Sequence, residues 1–375
     1  MSRFYAPVLL LVFISSTVWS CKEKVIDTPT PAPDPGLTWQ INEGFLFDEK
    51  IQLNSYADTA IIILSGSNTT AIAPGSQRPR TDTNFVHYGG QAQPSGRTDY
   101  RPLLTPSFVG FVLNDFINII PTASPVQSYV NAVVRFSELD PDFAFFDLLP
   151  SWIGESIVAN NQNQLIVPYR RYDRSYSTPV IEGGLTNIAL ISLDVPSPPS
   201  IQIKTTKTQL LTIQGGNFLQ SISSIGSYFL VSTSNGTFQI ASDGIYRKTY
   251  PYPFLKFFVF NGTVYGVTTA NTGTLKLAKS TDQGATWSII IDQLPDAYRT
   301  FTYKTVGDKL IAAYNSQLFQ LTITPTTLST VELDNTGLYG NRITSVAQFR
   351  NTVYVSTLSG VFTKPVRTFL TTKNK

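Results

Sequence analysis

The sequence predicts an all-β chain, a β-propeller of seven blades, each a four-stranded antiparallel sheet. Three observations point there. One strand-turn-strand phrase recurs four times within residues 226–364. Its spacing is close to the length of a propeller blade, about 40–50 residues. The composition, with 24 Gly, 24 Pro and 12% aromatic residues against only 14% charged ones, belongs to many short strands and turns rather than to helices.

The four copies run from Gly226 to Phe238, Gly262 to Leu275, Gly307 to Phe319 and Asn351 to Phe362. Each has a turn residue, an apolar strand ending on small or hydroxyl side chains, a second turn, and an aromatic residue or Leu. Gly and Asn supply the positive φ that tight hairpins require. Three copies keep Gly at the second turn (Gly236, Gly273, Gly360), whereas the third has Gln317 and Leu318 there, so that hairpin is expected to turn differently. The first residues of the copies lie 36, 45 and 44 positions apart. Dividing about 340 mature residues by a blade of roughly 45–50 gives seven blades. Residues 37–225 are therefore read as diverged blades of the same ring, and 37–375 as one propeller. Apolar strand candidates at Ala60–Leu64, Phe108–Leu113, Asn131–Phe136, Gln164–Val167 and Ile188–Leu193 support this, most of them bounded by Gly, Pro, Asn or Ser. A separate β-domain before a smaller propeller is the alternative.

Between two strands of the second copy's blade lies Ser280-Thr281-Asp282-Gln283-Gly284-Ala285-Thr286-Trp287. The Asp282 carboxylate and the Ser280 hydroxyl can bond the backbone N–H groups of a tight loop. Gly284 suits a conformation that a Cβ forbids, and Trp287 can fold back over the hairpin. The octet resembles the Asp-box, or bacterial neuraminidase repeat, Ser-x-Asp-x-Gly-x-x-Trp, at every defined position. Ser242-Asp243-Gly244-Ile245-Tyr246 is similar to a shortened copy one blade earlier, with Tyr246 in the place of Trp. The resemblance implies a structural staple at the outer edge of a blade, built from Ser280, Asp282, Gly284 and Trp287.

The chain begins with features of export. Arg3 precedes the apolar run Ala6 to Ile14, which is too short to span a bilayer. Residues 1–20 read as a signal peptide ending at Val18-Trp19-Ser20-Cys21, which resembles the bacterial lipobox with Cys21 as the lipidated residue. Trp19 departs from that pattern. Cys21 is the only cysteine, so it has no partner for a disulfide within the chain. Lys22 follows it, where an inner-membrane retention signal would have Asp. Several acyl tails would make the anchor stable. Residues 21–36 comprise Cys21 and a Pro-rich linker, whose Thr28–Gly36 part is a polyproline-like spacer. The arrangement is similar to Bacteroidota lipoproteins and implies an outer-membrane anchor.

Two Arg-bearing stretches are candidate ligand-binding loops. One is 75–101, with Arg78, Arg80, Arg97 and Arg101, read as about 27 residues without a strand. The other is 168–176, where Tyr169, Arg170, Arg171, Tyr172 and Arg174 alternate phenol and guanidinium groups around Asp173. Arg forks bind carboxylate or phosphate, and Tyr faces stack on sugars or cations. The plainer reading is a solvated strand edge with internal Arg–Asp173 pairing.

No catalytic constellation emerges. A sialidase needs three Arg around a carboxylate, a Tyr–Glu pair and an acidic Asp; Tyr100-Arg101-Pro102-Leu103 is the nearest match to its Arg motif, with the wrong order after Arg101. Asp140, Asp142, Asp147 and Glu155 form the clearest acidic cluster, more simply read as turn-capping groups than as a glycosidase pair. One Cys and one His (His87) exclude the usual zinc ligand sets, and a net charge of +3 gives no case for nucleic acid. No cofactor or metal is expected. The sequence points to an outer-membrane-anchored, non-catalytic binding or scaffold propeller for a protein or glycan at the cell envelope, with a sialidase-like or other polysaccharide-active hydrolase as the alternative.

Overall fold

The computed structural model describes residues 38–42, 52–56, 60–64, 69–72, 85–87, 103–112, 116–121, 132–140, 157–169, 172–173, 180–181, 185–195, 203–214, 219–269, 273–338 and 341–373. The chain divides into two compact units, 1–34 and 35–375, and all of these residues belong to the second. Among them are seven four-stranded antiparallel sheets and one two-stranded ribbon. The second unit is a seven-bladed β-propeller.

Blade 1 comprises Gln52–Tyr56, Ala60–Leu64, Thr69–Ile72 and Phe85–His87; blade 2 comprises Leu103–Leu104, Phe108–Val112, Phe116–Pro121 and Ala132–Arg135. Blade 3 comprises Val158–Ala159, Gln164–Tyr169, Leu185–Asp194 and Lys204–Gln214, and blade 4 comprises Leu219–Ile225, Tyr228–Thr233, Gly236–Ile240 and Tyr246–Tyr250. Blade 5 is Phe254–Phe260, Thr263–Thr268, Leu275–Ser280 and Ser288–Leu294, and blade 6 is Thr302–Val306, Lys309–Tyr314, Gln317–Ile323 and Leu328–Glu332. Blade 7 takes Ile343–Phe349, Thr352–Thr357 and Val361–Pro365 from the C-terminal end, but its outer strand, Gln40–Ile41, from the N-terminal end. The first strand of each blade contacts that of the next, and blade 7 contacts blade 1, so the ring is shut.

Hairpin chemistry sets the local path. Gly226, Gly262 and Gly307 sit at φ +57°, +71° and +59° in the turns that join first to second strands. The copy without a second-turn glycine closes through Asn315 at φ +51° instead, since a short amide side chain tolerates that conformation. Blades 4 and 7 use one further device in the following turn. Thr233 Oγ1 accepts from the Asn235 amide at 3.3 Å, and Thr357 Oγ1 accepts from the Ser359 amide at 3.1 Å. Each hydroxyl also donates back to a glycine carbonyl, that of Gly236 or Gly360.

The core is a succession of layers between blades. Second strands lie between two neighbours and are therefore apolar or small on both faces, as in Gln164–Tyr169, all six residues of which are buried. Ile188, Leu190 and Ile213 of blade 3 pack on Phe229, Val231 and Phe238 of blade 4. Val267 and Leu277 of blade 5 pack with Leu310 and Leu321 of blade 6. Each such side chain contributes about 1.5–3 kcal/mol when fully buried. Outer strands are wetter, as in Leu328–Glu332, where no residue is buried.

Closure rests on Trp39. The short outer strand pairs Gln40 with Thr363 and Ile41 with Phe362, and both of its residues are exposed. Trp39, 3% exposed, is the part that is driven home. Its indole N–H donates to the Asp334 carbonyl at 3.3 Å, its amide donates to the Thr336 carbonyl at 3.1 Å, and its ring meets Phe369 edge-on at 5.8 Å. Gly337, at φ +100°, lets the backbone pass, because a Cβ there would come within 2.7 Å of the Trp39 carbonyl oxygen.

One expectation is corrected. The stretch 75–101, read as a strandless loop, contains Phe85–His87, the outer strand of blade 1. A three-residue strand is too short to show alternation, so the sequence hid it.

Candidate functional site

The innermost strands of blades 4, 5 and 6 together line a cavity of about 250 Å³. Its polar wall is supplied by Ser223 from blade 4, Lys256 from blade 5, and Lys304 and Thr305 from blade 6. Phe257 and Tyr303 add aromatic surface. These side chains gather because the first strand of each blade faces the ring axis, where neighbouring sheets meet at their edges. Lys256 donates to the Phe301 carbonyl of the adjoining blade, which fixes its ammonium in the wall.

The aromatic side of this wall is a stack of three rings. Phe258 stacks between Tyr265, with centroids 5.2 Å apart, and Tyr303, at 4.2 Å, the planes lying within 14° and 16° of parallel. The Tyr303 hydroxyl donates to the Tyr298 carbonyl at 2.9 Å. Burial, reinforced by the nearby Tyr298, pushes the Tyr303 phenol well above its ordinary value, so it stays neutral. Ser221 is also committed, donating to the Phe254 carbonyl at 2.6 Å. The wall can hold polar or anionic groups through ammonium and hydroxyl donors and planar groups through ring edges. Among the described lining residues there is no carboxylate or imidazole to move a proton. The described residues contain no group of three or more His, Cys, Asp or Glu placed to hold a metal ion.

The Ser280–Trp287 loop joins the third and fourth strands of blade 5. Ser280 Oγ donates to Asp282 Oδ1 at 2.7 Å and accepts from the Gly284 amide at 2.8 Å. Asp282 accepts from the Thr286 amide at 2.9 Å and from its hydroxyl at 2.6 Å. Partial burial pushes the Asp282 carboxyl up, but the hydrogen bonds from Thr286 and Ser280 outweigh it and hold the group down at about 2. It is an anion spent on its own loop. Trp287 folds back, donates its indole N–H to the Gly284 carbonyl at 3.1 Å, and packs on Phe254 at 4.4 Å and Phe257 at 6.0 Å. The Gln283 carbonyl accepts from Gln239 of blade 4 at 2.9 Å, so the loop also ties two blades together. The shorter Ser242–Tyr246 segment occupies the same position in blade 4. There the Ile245 amide donates to Asp243 at 2.9 Å, and the Tyr246 hydroxyl reaches the Thr212 carbonyl of blade 3 at 2.7 Å.

The other sequence candidates fare differently. Tyr169 ends the second strand of blade 3, is 1% exposed, and its hydroxyl donates to Asp140 at 2.6 Å. Tyr169 packs in the core layer between blades 2 and 3, and Asp140, 1% exposed, is buried beside it. Of the acidic cluster, Asp140 is buried and accepts from Tyr169; Asp142, Asp147 and Glu155 lie outside the described residues. Tyr172 and Asp173 form a two-stranded ribbon with Val180–Ile181, inserted between the second and third strands of blade 3. Arg78, Arg80, Arg97, Arg101, Arg170, Arg171, Arg174 and Cys21 lie outside the described residues. The lysines of the axial cavity were missed by sequence reasoning. Their signal was present: Lys256 is a lone charge inside the apolar strand Phe254–Phe260, a place where a charged side chain needs a reason.

No family model and no curated protein matches the chain. Solved structures do. AztD from Citrobacter koseri, in its apo form, is 13% identical, with a TM-score of 0.47 over 87% of this chain and 85% of its own. The WD40 β-propeller domain of Doa1 is 10% identical, with a TM-score of 0.44 over 87% of this chain and 96% of its own. BamB from Moraxella catarrhalis is 10% identical, with a TM-score of 0.43 over 85% of this chain and 94% of its own.

Proposed function

We propose that this chain is a lipoprotein, held by Cys21 at the outer membrane of a Bacteroidota-type cell, whose Asp-box propeller binds or scaffolds a protein or glycan at the envelope without chemistry. The observation that carries the reading is the composition of the axial cavity. Ammonium, hydroxyl and aromatic groups stand on rigid inner strands, and the phenol among them is neutral and already hydrogen-bonded. Such donors and ring faces suit recognition of a polar or planar ligand. The buried Tyr169–Asp140 pair supports the same view, since these groups stabilise the blade 2–3 layer. The anchor rests on the sequence: the lipobox-like 18–21 segment and the Pro-rich spacer precede the first strand of the ring at Gln40.

Two measurements on the full chain test it. Cys21→Ser is expected to move the protein out of the detergent phase, and unchanged partitioning removes the anchor. Recovery of one stoichiometric protein or glycan from envelope extracts is the expected binding result. Turnover of a fluorogenic sialoside or an envelope polysaccharide by the purified protein overturns the non-catalytic reading.

A further inference from the structure

Lys256 carries a charge that its place in the fold does not require. In blades 4, 5 and 7 the first strand opens with the same irregularity. Its pairing to the second strand slips between Leu219 and Ser221, between Phe254 and Lys256, and between Ile343 and Ser345. A bulge of this kind re-aims the side chain beside it. In blade 4 the residue after the slip is Ser221, whose hydroxyl donates to the Phe254 carbonyl of blade 5. In blade 5 it is Lys256, which donates to the Phe301 carbonyl just before the first strand of blade 6. Blade 7 again has serine, Ser345. A hydroxyl thus suffices to latch one blade to the next, and the ammonium in blade 5 is surplus to that job.

We propose that the axial cavity of blades 4, 5 and 6 is a carboxylate-binding site, whose ligand presents its charge at the end of a short apolar stem. The proposal rests on the reading of the propeller as a binding module and names what that module takes. Lys256 and Lys304 are the only charged side chains among the described lining residues, and Ser223, Thr302 and Thr305 stand with them as hydroxyl donors. Such a set favours an anion. Phe258 has Tyr265 and Tyr303 stacked against it, so it offers its edge, the positive part of the ring quadrupole. A sugar, which stacks on ring faces, finds those of Phe258 taken. The rest of the lining is apolar, with Phe257, Leu310 and Val259, the last 43% exposed. That surface accepts hydrocarbon and makes a doubly charged phosphate costlier to desolvate than a singly charged carboxylate. The volume of about 250 Å³ lies below the roughly 300–1,000 Å³ of pockets that enclose drug-sized molecules, and suits one small group. A glutamate side chain on a protein partner and a free short-chain acid share this chemistry.

The test is titration of the purified full chain, followed by saturation-transfer nuclear magnetic resonance. The probes are N-acetylglutamate amide, its neutral counterpart N-acetylglutamine amide, and butyrate. The glutamate probe is expected to bind about tenfold more tightly than the glutamine probe, the worth of one charge-assisted hydrogen bond. Lys304→Gln should abolish that preference and leave the Lys256 latch in place. Lys256→Ser, which installs the latch of blade 4, should abolish it as well. Tighter binding of the glutamate probe than of butyrate assigns the carboxylate to a protein partner, and the reverse assigns it to a free acid. Equal binding of the two amides, no binding by any probe, or a preference that survives both substitutions overturns the proposal. Envelope extracts that still yield a partner after such a result leave the binding-module reading standing. Turnover of a bound probe overturns the non-catalytic reading and leaves the carboxylate site in place.

Discussion

The turns between third and fourth strands in blades 4 and 5 hold the same place in successive blades, and they are clamped in different ways. In both, the glycine has nearly the same backbone: φ +89° at Gly244 and +88° at Gly284. In both, a Cβ would run into the preceding blade. The neighbour at Gly284 is Leu230 Cδ2, 2.5 Å away in a buried strand, whereas at Gly244 it is the end of the Gln209 side chain, 2.4 Å away. The longer loop secures itself through Ser280, Asp282 and the Trp287 indole. The shorter one borrows a fixing from the preceding blade, through Tyr246 and the Thr212 carbonyl. The turn geometry demands glycine in each case; the rest of the motif is demanded by how the seam between blades is filled.

Removing the aromatic staple should separate the two turns most. Trp287→Ala empties a site bounded by Phe254, Phe257 and Tyr250, and is expected to cost about 3 kcal/mol. Tyr246→Ala, whose ring meets Phe238 edge-on at 6.3 Å, should cost roughly half as much. Urea denaturation compares them, and equal losses would break the distinction. Next in size, Gly284→Ala should cost about 2–3 kcal/mol, from a strained backbone plus overlap with Leu230, whereas Gly244→Ala should cost about 1–2 kcal/mol because Gln209 can swing away. If both variants lose the same amount, the packing of the two loops does not differ as described.

The smallest effect is electrostatic. A carboxyl held at about 2 in the folded chain and near 3.8 when unfolded contributes stability that is complete above roughly pH 5 and is lost as the pH falls towards 2. Asp282→Asn should therefore flatten the acid limb of the stability curve over that interval, measured by urea midpoints at successive pH values. A limb of unchanged slope would mean that the loop does not depend on the ionised carboxylate.

Legibility in the sequence follows the same physics. Blades 4 to 7 show because each repeats a positive-φ residue at a fixed distance from a strand apolar on both faces, a pattern written in consecutive residues. The Ser280–Trp287 loop shows for the same reason, since the hydrogen bonds that close it join residues within eight positions. In blades 1 to 3 the longer apolar strands were visible, among them Ala60–Leu64 and Gln164–Val167, the latter running on to Tyr169 in the structure. Short ones such as Leu103–Leu104 and Val158–Ala159 were not, for two residues carry no period. The axial cavity was hidden because its wall is assembled from short runs of three blades far apart in sequence. Tyr169 looked like part of a polar loop from its neighbours Arg170 and Arg171, and only the register with Asn187 places it at the buried end of a strand.

The pairing of Gln40 with blade 7 has a consequence in time. The Gln40 carbonyl accepts from Thr363 across 323 positions of chain, so the ring cannot close until both of these distant segments have been made. Contacts so distant along the chain slow folding, and the unfinished blades meanwhile present bare strand edges to one another and to other chains. Nascent polypeptide of this kind gains from shielding of those edges until the closing strand is in reach.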